Sequence, residues 1–470
     1  MFTFCSERPQ SYSVVKAHIK NAVLSDTAYL VESLFVYKEL DACRICGNTD
    51  LIPILDLGNQ ALTGVFPKHK QEVIPEAPLE LVKCNETSAD DSCGLVQLRH
   101  SCSHTAMYGD KYGYRSGLNA SMVAHLRQKV QAITGRVDLK PGDLVIDIGS
   151  NDSTLLQSYP SDRGLTLVGI DPSGAKLRKY YPSHIQLLPE FFSAQAVRAA
   201  LGGRKAKVVT SIAMFYDLEA PCDFMRHINE VLADDGIWVF EQSYLPSMLA
   251  TVSYDTVCHE HLEYYALRQI KWMTDRLQLK ILDISFNDVN GGSFSITVAK
   301  SHSPYRENKV LVSQILERER RNQLGTLEPY RRFEEQVQEH RDSVCRLLSE
   351  LKYQNKKILG YGASTKGNVL LQFCGLGEQD LSCIAEVNEE KFGCYTPGTR
   401  IPIVSEKEAK ELGPDVMMVL PWHFRPHTIS REAAYLRAGG TLLFPLPQVE
   451  MVTFQSSSPS PRRLATISGD

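Results

Sequence analysis

Apolar positions along the chain recur in two rhythms. Short aliphatic runs, Leu144–Ile148, Thr166–Ile170, Val208–Ser211, Ile237–Glu241 and Phe294–Ala299, are separated by stretches of helical spacing. That alternation is what a layered α/β sheet requires. A second alternation begins at Lys357, with strands expected at Ile358–Gly360, near Leu381–Val387, at Val416–Leu420 and at Thr441–Pro445. Between the two, across Arg306–Lys357, the residues Phe333, Val337, Val344, Leu347, Leu348 and Leu351 recur at helical intervals and predict one long connecting helix. Asp41–Leu118 has little helical pattern and is rich in Cys, Pro and Gly.

The expected fold class is α/β: two Rossmann-like doubly wound domains preceded by a small zinc-binding module. The expected divisions are an N-terminal extension (1–40), the zinc module (41–118), a first α/β domain (119–302), the connecting helix (303–356), a C-terminal Rossmann-like domain (357–454) and a disordered Ser/Pro-rich tail (455–470). Lys plus Arg number 51 against 55 Asp plus Glu, a net charge of −4, which argues against a nucleic-acid partner with its usual basic face. The longest apolar runs fall far short of the ~20 residues of a spanning helix, so no membrane partner is expected. The first 40 residues lack an apolar core followed by a cleavage site. A cytoplasmic location is therefore expected, and in it the twelve cysteines read as metal ligands plus buried thiols.

Cys43-Arg-Ile-Cys46 is a Cys-x2-Cys knuckle, and Cys84 and Cys93 form a second pair further on. Four thiolates suit a closed, structural, tetrahedral Zn2+ site. The wide spacing of Cys84 and Cys93 leaves Cys102, His100 or His104 as alternative fourth ligands. The bland alternative is a set of free thiols.

Asp143–Leu156 reads as a buried strand, a tight turn and a helix. Gly149 has no Cβ to obstruct a nucleotide-like cofactor, and Asp171 ends the next strand, where a carboxylate can accept both ribose hydroxyls. Asp147 lies ahead of the turn, placed to hold an ammonium. Asn151 and Ser153 stand where a dinucleotide turn wants glycines. Together these favour S-adenosylmethionine over a dinucleotide, against the plainer reading of an ordinary α/β turn.

Ser253–Tyr265 packs together two histidines, His259 and His261, with carboxylates and tyrosines. The i, i+2 spacing does not match the i, i+4 pair of a helical zinc protease. Acid–base chemistry fits better, an imidazole taking a proton while a neighbour fixes its tautomer. A polar loop capping a helix is the bland alternative. Asn290-Gly-Gly-Ser293 can close over the same pocket or be a plain hairpin.

Cys43–Cys46, Leu55–Gly58, Cys93–Gln97 and Tyr112–Ser116 resemble the N-terminal zinc module of the nucleotide-sugar C-methyltransferases. Asp147–Asp152, Tyr254–His261 and Gly291–Ser293 resemble their methyl-transfer domain. Gly360–Asn368, Pro397–Thr399 and Leu420–Trp422 are similar to their C-terminal domain. The resemblance runs from about Ala42 to Val452, and the chain is similar to family members that methylate C3 of a 4-keto deoxyhexose on a nucleoside diphosphate. It implies that the C4 ketone acidifies the C3 hydrogen, that His261 removes it, and that the enolate attacks the sulfonium methyl. Glu260, Tyr114 and His259 then belong to the polar surroundings of the base, with Glu260 and Tyr114 orienting the sugar or stabilising the enolate oxygen. The second α/β domain helps hold the nucleotide sugar. Gly362–Gly367 lacks the Gly-Lys-Ser/Thr order of a P-loop, yet helix N-terminal amides and an ammonium suit a pyrophosphate. Lys366 and Asn368 are assigned there.

The chain departs from the family in the Cys84–Cys93 spacing, in Ser153 for a common glycine, in Cys258 for a tyrosine, and in Ala213–Asp217, where a polar Asn-containing segment is expected. The alternatives are an O- or C-methyltransferase acting on another small molecule, and a non-catalytic sugar-nucleotide-binding protein whose cofactor turn is blocked. Sugar, nucleoside and oligomeric state are not fixed by the sequence.

Overall fold

The computed structural model describes residues 37–87, 91–103, 107 and 114–454. The expectations for residues 1–36, for Tyr112, for the alternative ligand His104 and for the tail from 455 lie outside the described residues.

The first unit is a small antiparallel assembly. β1 (Tyr37–Glu39) pairs with β5 (His100–Cys102), and β2 (Leu51–Ala61), β3 (Glu76–Cys84) and β4 (Val96–Leu98) form a sheet. Its fourth strand is β11 (Glu263–Tyr264), which comes from far along the chain and pairs with β4. The ligand atoms of Cys43, Cys46, Cys84 and Cys93 lie within 4.8 Å of one another. Cys43 Sγ is 3.5 Å from Cys93 Sγ, and Cys46 Sγ is 3.5 Å from Cys84 Sγ. Zn–S bonds of ~2.3 Å put tetrahedral sulfurs roughly 3.8 Å apart, so the four fit one zinc ion. Cys102 is elsewhere, in β5. From inside the knuckle Arg44 donates to Leu98 O (2.7 Å) and Ser101 Oγ (2.6 Å), and its Nε lies 3.7 Å from Glu263 Oε1. The metal loop is thereby fastened to three strands.

The second unit is a seven-stranded sheet of β6 (Leu144–Ile148), β7 (Thr166–Ile170), β8 (Ile185–Leu188), β9 (Ala206–Ile212), β10 (Leu232–Ser243), β12 (Leu279–Asn287) and β13 (Ser293–Lys300). Its order is β12-β13-β10-β9-β6-β7-β8. β10, β9, β6, β7 and β8 are parallel, and the β12–β13 hairpin joins antiparallel. The helix expected straight after β6 is only a 3-10 turn, Leu156–Ser158. Asn151 and Ser153 sit at φ 48° and 62°, outside the helical region, and Pro160 prevents extension.

The connecting segment also differs from expectation. It is two helices, Lys309–Arg321 and Glu328–Tyr353. Gln323 at φ 56° breaks the first, and Pro329 starts the second at a position where a missing N–H does no harm. The third unit holds β14 (Ile358–Tyr361), β15 (Ile384–Glu386), β16 (Ile403–Ser405), β17 (Val416–Val419), β18 (Thr441–Phe444) and β19 (Glu450–Val452). Its order is β16-β15-β14-β17-β18-β19, with only β19 antiparallel. Among the described residues no helix is long and apolar enough to cross a membrane.

The purified chain should carry one zinc per molecule. Cys46→Ser should abolish stoichiometric metal and cost about 3 kcal/mol or more of stability. Metal analysis and thermal melting check this; a zinc-free wild type of undiminished melting temperature contradicts it.

Candidate functional site

Each parallel sheet reverses its strand order beside its first strand, between β6 and β9 in one and between β14 and β17 in the other. Such switch points open a crevice at the carboxyl ends of the strands. Here the two crevices share one cavity of about 830 Å³, lined by Asp147–Asn151, Asp171 and Phe191 on one side and by Tyr361–Lys366, Glu386 and Asn388 on the other.

On the methyltransferase side Gly149 turns at φ 71°, and a Cβ there would stand 3.1 Å from Met214. Asp147 is 3% exposed, and its carboxylate accepts only from Thr210 Oγ1 at 2.5 Å among the hydrogen bonds found. Burial pushes its pKa up to about 7. A buried carboxylate at a cavity wall with no cation bonded to it is chemically matched to an incoming ammonium. Asp171 accepts from Asn151 N–H at 2.8 Å on Oδ2 and from Ser173 N–H at 2.7 Å and Ser173 Oγ–H at 2.6 Å on Oδ1, and it lines the cavity. Asn151 also ties down the 114–118 strap: its Oδ1 accepts from Ser116 N–H (3.0 Å) and its Nδ2 donates to Tyr114 O (3.2 Å). Tyr114 lines the cavity, half exposed. Asp147, Gly149, Asn151 and Asp171, the four positions expected around the cofactor, therefore line one cavity that is open along the turn. The blocked turn that an inert binder requires is not what the structure has.

The His-Glu-His segment divides. His261 lines the cavity, and its Nδ1 faces Thr256 O at 2.8 Å. A nitrogen facing a carbonyl carries the proton, so Nε2 is left as an acceptor. Burial, with the Lys366 ammonium second, holds the ring down to about 3, neutral at ordinary pH. Tyr216 stands edge-on to it, with ring centroids 4.3 Å apart. Glu260 also lines the cavity; Thr63 Oγ1 donates to it, and burial raises its pKa. His259 does not join them. It is 2% exposed, bonded through Nε2 to Ala77 O at 3.1 Å, and burial lowers it to about 4. Its expected place among the catalytic groups is corrected to a strut between this segment and β3.

Asn368 is likewise corrected. It is wholly buried, its Nδ2 donates to Thr63 O at 2.7 Å, and it is absent from the cavity wall. One turn on, Gln372 binds Ala61 on both N–H and C=O, so this face of the helix Thr365–Phe373 is committed to the zinc module. Lys366 reaches the cavity, and its charge is felt by His261. The Asn290-Gly-Gly turn is both the β12–β13 hairpin and a cavity wall. A Cβ on Gly291 would come within 2.9 Å of Trp422, and Trp422 Nε1 donates to Asp255 at 2.8 Å.

Sequence reasoning missed Glu241. Its carboxylate lines the cavity and binds His125 (2.5 Å), Lys129 (2.7 Å) and Asn287 (2.9 Å), locking the helix Ala120–Arg136 and β12 onto the rim. Its position at the C-terminal part of β10 was the available signal. It also missed Tyr216, His423 and Lys391, all on the wall.

A parallel sheet with a glycine turn, a buried carboxylate at the turn and an acid after β7 fits the class of S-adenosylmethionine-dependent methyltransferases. The family comparisons narrow the class. A "Putative zinc binding domain" model matches residues 43–108, a "Methyltransferase domain" model 120–284 and a "C-methyltransferase C-terminal domain" model 288–447. Taken together they support an S-adenosylmethionine-dependent C-methyltransferase that carries a four-cysteine zinc-binding module. The chain is similar to C-methyltransferase NovU of Streptomyces niveus, 28% identical over 429 residues, covering 90% of this chain and 99% of that one. Solved structures similar in part include the cyclopropane synthase MmaA2 of Mycobacterium tuberculosis (12% identity, 43% of this chain and 89% of that one, TM-score 0.32). Another is the magnesium protoporphyrin IX methyltransferase of Synechocystis PCC 6803 with bound SAH (14% identity, 39% and 88%, TM-score 0.30).

If Asp147 holds the cofactor ammonium, only its ionised form does so. Cofactor affinity should rise as pH is raised from about 6 to about 8, through the raised pKa. Asp147→Asn should bind about tenfold or more weakly and lose that slope. Calorimetric titration with S-adenosylhomocysteine measures both; a variant with wild-type affinity and slope removes Asp147 from the site.

Proposed function

We propose that the protein methylates a carbon next to the ketone of a nucleoside-diphosphate-linked 4-keto sugar, with C3 as the acceptor and His261 as the base. The observation that supports this best is the state of that ring. Its Nδ1 faces Thr256 O, which fixes the tautomer with Nε2 as acceptor, and the ring lines a cavity that has the cofactor turn on one side and a second nucleotide-type crevice on the other.

Each residue has a share in this reading. S-adenosylmethionine, when bound, supplies an electrophilic methyl group that needs no metal activation. Asp147, Gly149, Asn151 and Asp171 form its cradle. Phe191, Phe192, Met214, Leu218 and Phe224 add an apolar wall on the same side. Glu260 is kept by burial nearer its protonated form, able to donate to a sugar oxygen. Tyr114 lies at the boundary between cofactor turn and sugar space.

The C-terminal crevice takes the nucleotide. Glu386 closes β15 and accepts from the N–H groups of Ala363 (2.8 Å), Val387 (2.7 Å) and Asn388 (2.9 Å), which shapes the loop. Lys391 and Arg431 line this half and supply positive charge for a diphosphate. Cys258, wholly buried on the wall, leaves room where a tyrosine would otherwise stand.

His261→Asn should lower methyl transfer by about 10²-fold or more while S-adenosylhomocysteine binding stays within about twofold. NMR of the wild-type product should show a methyl group on carbon. Retained turnover in the variant removes His261 as the base. An oxygen-bound methyl in the product would turn the reading to O-methylation.

A further inference from the structure

We propose that Lys366 is a catalytic residue: its ammonium holds the C4 oxygen of the keto sugar and stabilises the enolate formed when His261 takes the neighbouring proton. The proposal rests on the keto-sugar reading above and names the group that carries the developing negative charge. It replaces the expectation that Lys366 serves the diphosphate.

The placement comes from the C-terminal sheet. β14 ends at Tyr361, Gly362 follows it, and Ser364 caps the next helix, its Oγ accepting from Gly367 N–H at 3.0 Å. That helix start is pressed against the His-Glu-His segment. A Cβ on Gly64 would lie 2.1 Å from Glu260 Oε1 and 3.7 Å from Thr365 Oγ1, so Glu260 and the first helical residue flank the same small space. Lys366 is the next residue. Its Nζ donates to Asn290 O at 3.1 Å, across from the hairpin that Trp422 holds in place. One of three ammonium protons is used in that bond, leaving two for the cavity.

The charged and titratable groups around Lys366 are those of the reaction. Its charge acts on His261 and His423, lowering both, and is felt by Asp255 and Cys258. Asp255, 1% exposed, is bonded to Trp422 through Oδ2 and has no hydrogen-bond partner for Oδ1. It favours the protonated amine, against the burial that lowers the lysine. Lys391, by contrast, lies towards Glu386 and donates to Ala363 O at 2.7 Å, deeper in the nucleotide crevice. Two lysines thus stand at two different stations of one cavity.

The electron count closes. The C3–H bond breaks and its proton goes to His261 Nε2. The electron pair forms the C3–C4 double bond, and the carbonyl π pair moves onto the C4 oxygen, where Lys366 N–H receives it as a hydrogen bond. When the methyl–carbon bond forms, the C4 carbonyl returns, and the sulfur keeps the pair of the bond that breaks. A preorganised cation is most useful where charge develops, in a cavity that excludes water.

The test separates enolate formation from methyl transfer. Wild type, Lys366→Met, Lys366→Arg and His261→Asn are saturated with S-adenosylhomocysteine in D2O. Each is given the thymidine, guanosine and cytidine diphosphate 4-keto-6-deoxyhexoses, and exchange of the hydrogens next to the ketone is followed by NMR. Wild type should exchange with at least one nucleotide, and Lys366→Met should exchange about 100-fold or more slowly at saturation. The sugar-nucleotide Kd should move less than about threefold, and Lys366→Arg should regain part of the rate. Weakened nucleotide binding with saturated exchange intact would make Lys366 a diphosphate ligand and overturn the proposal. No exchange in the wild type would overturn the keto-sugar reading, and this proposal with it. If Lys366→Met fails to bind S-adenosylhomocysteine, Lys366→Gln, which keeps a donor for Asn290 without the charge, is judged by the same criteria.

Discussion

Tyr254–Tyr264 is an irregular segment, buried at every position except His261, so its polar groups need partners from other parts of the chain. All three units supply them. From the zinc module, Ala77 O meets His259, Thr63 Oγ1 meets Glu260, and Leu98 N–H donates to Leu262 O at 2.9 Å. From the methyltransferase sheet, Tyr216 O accepts from Leu262 N–H at 2.8 Å. From the C-terminal side, Trp422 binds Asp255, and His340 Nδ1 accepts from Tyr254 OH at 3.2 Å. Each such group left unpaired would cost about 1–3 kcal/mol. The segment can hold this shape only where the three units meet, and the residue it leaves open there is the imidazole.

This gives the zinc module a physical part in the chemistry although its four thiolates leave no open position for a reactant. β11 follows directly from the His-Glu-His segment and completes the module's sheet through β4. Arg44, within the metal knuckle, reaches Leu98 O and the buried Glu263 of β11. Loosening the metal loop would therefore release the strand that anchors His261 on its C-terminal side. The coupling is short and covalent for most of its length, with hydrogen bonds only at the crossings.

Much of this architecture is legible in the sequence, and the failures have physical causes. The parallel strands β6, β7, β9 and β14 are buried on both faces, so their composition alone marks them. β8, β16 and β19 are short and were not expected; each of the last two has three residues, too few for a period to show. The two helices of the connector share one apolar rhythm, and the break at Gln323 depends on a backbone angle that composition does not display. At the site, Asp147, Gly149, Asn151, Asp171 and His261 all reach the cavity wall, because a local strand, turn or loop pattern sets their placement. His259 and Asn368 do not, because neighbours distant in sequence hold them elsewhere: Ala77 O for the first and Thr63 O for the second.

The low basicity of His261 is compatible with its acting as a base. Burial and the Lys366 charge both disfavour the imidazolium, and both terms change once a ketone lies between the two groups. Negative charge forming on the sugar oxygen would offset the lysine's repulsion, and the proton on His261 would then face an anion. At an effective dielectric of ~20, opposite charges ~4 Å apart attract by about 4 kcal/mol, equivalent to roughly three pKa units. A ring held neutral before reaction stays free to accept, and it gains basicity as the enolate charge appears. On this reading the pair is arranged so that neither group is stabilised as an ion pair with the other at rest. The site's electrostatic stabilisation is reserved for the state in which the sugar carries the charge.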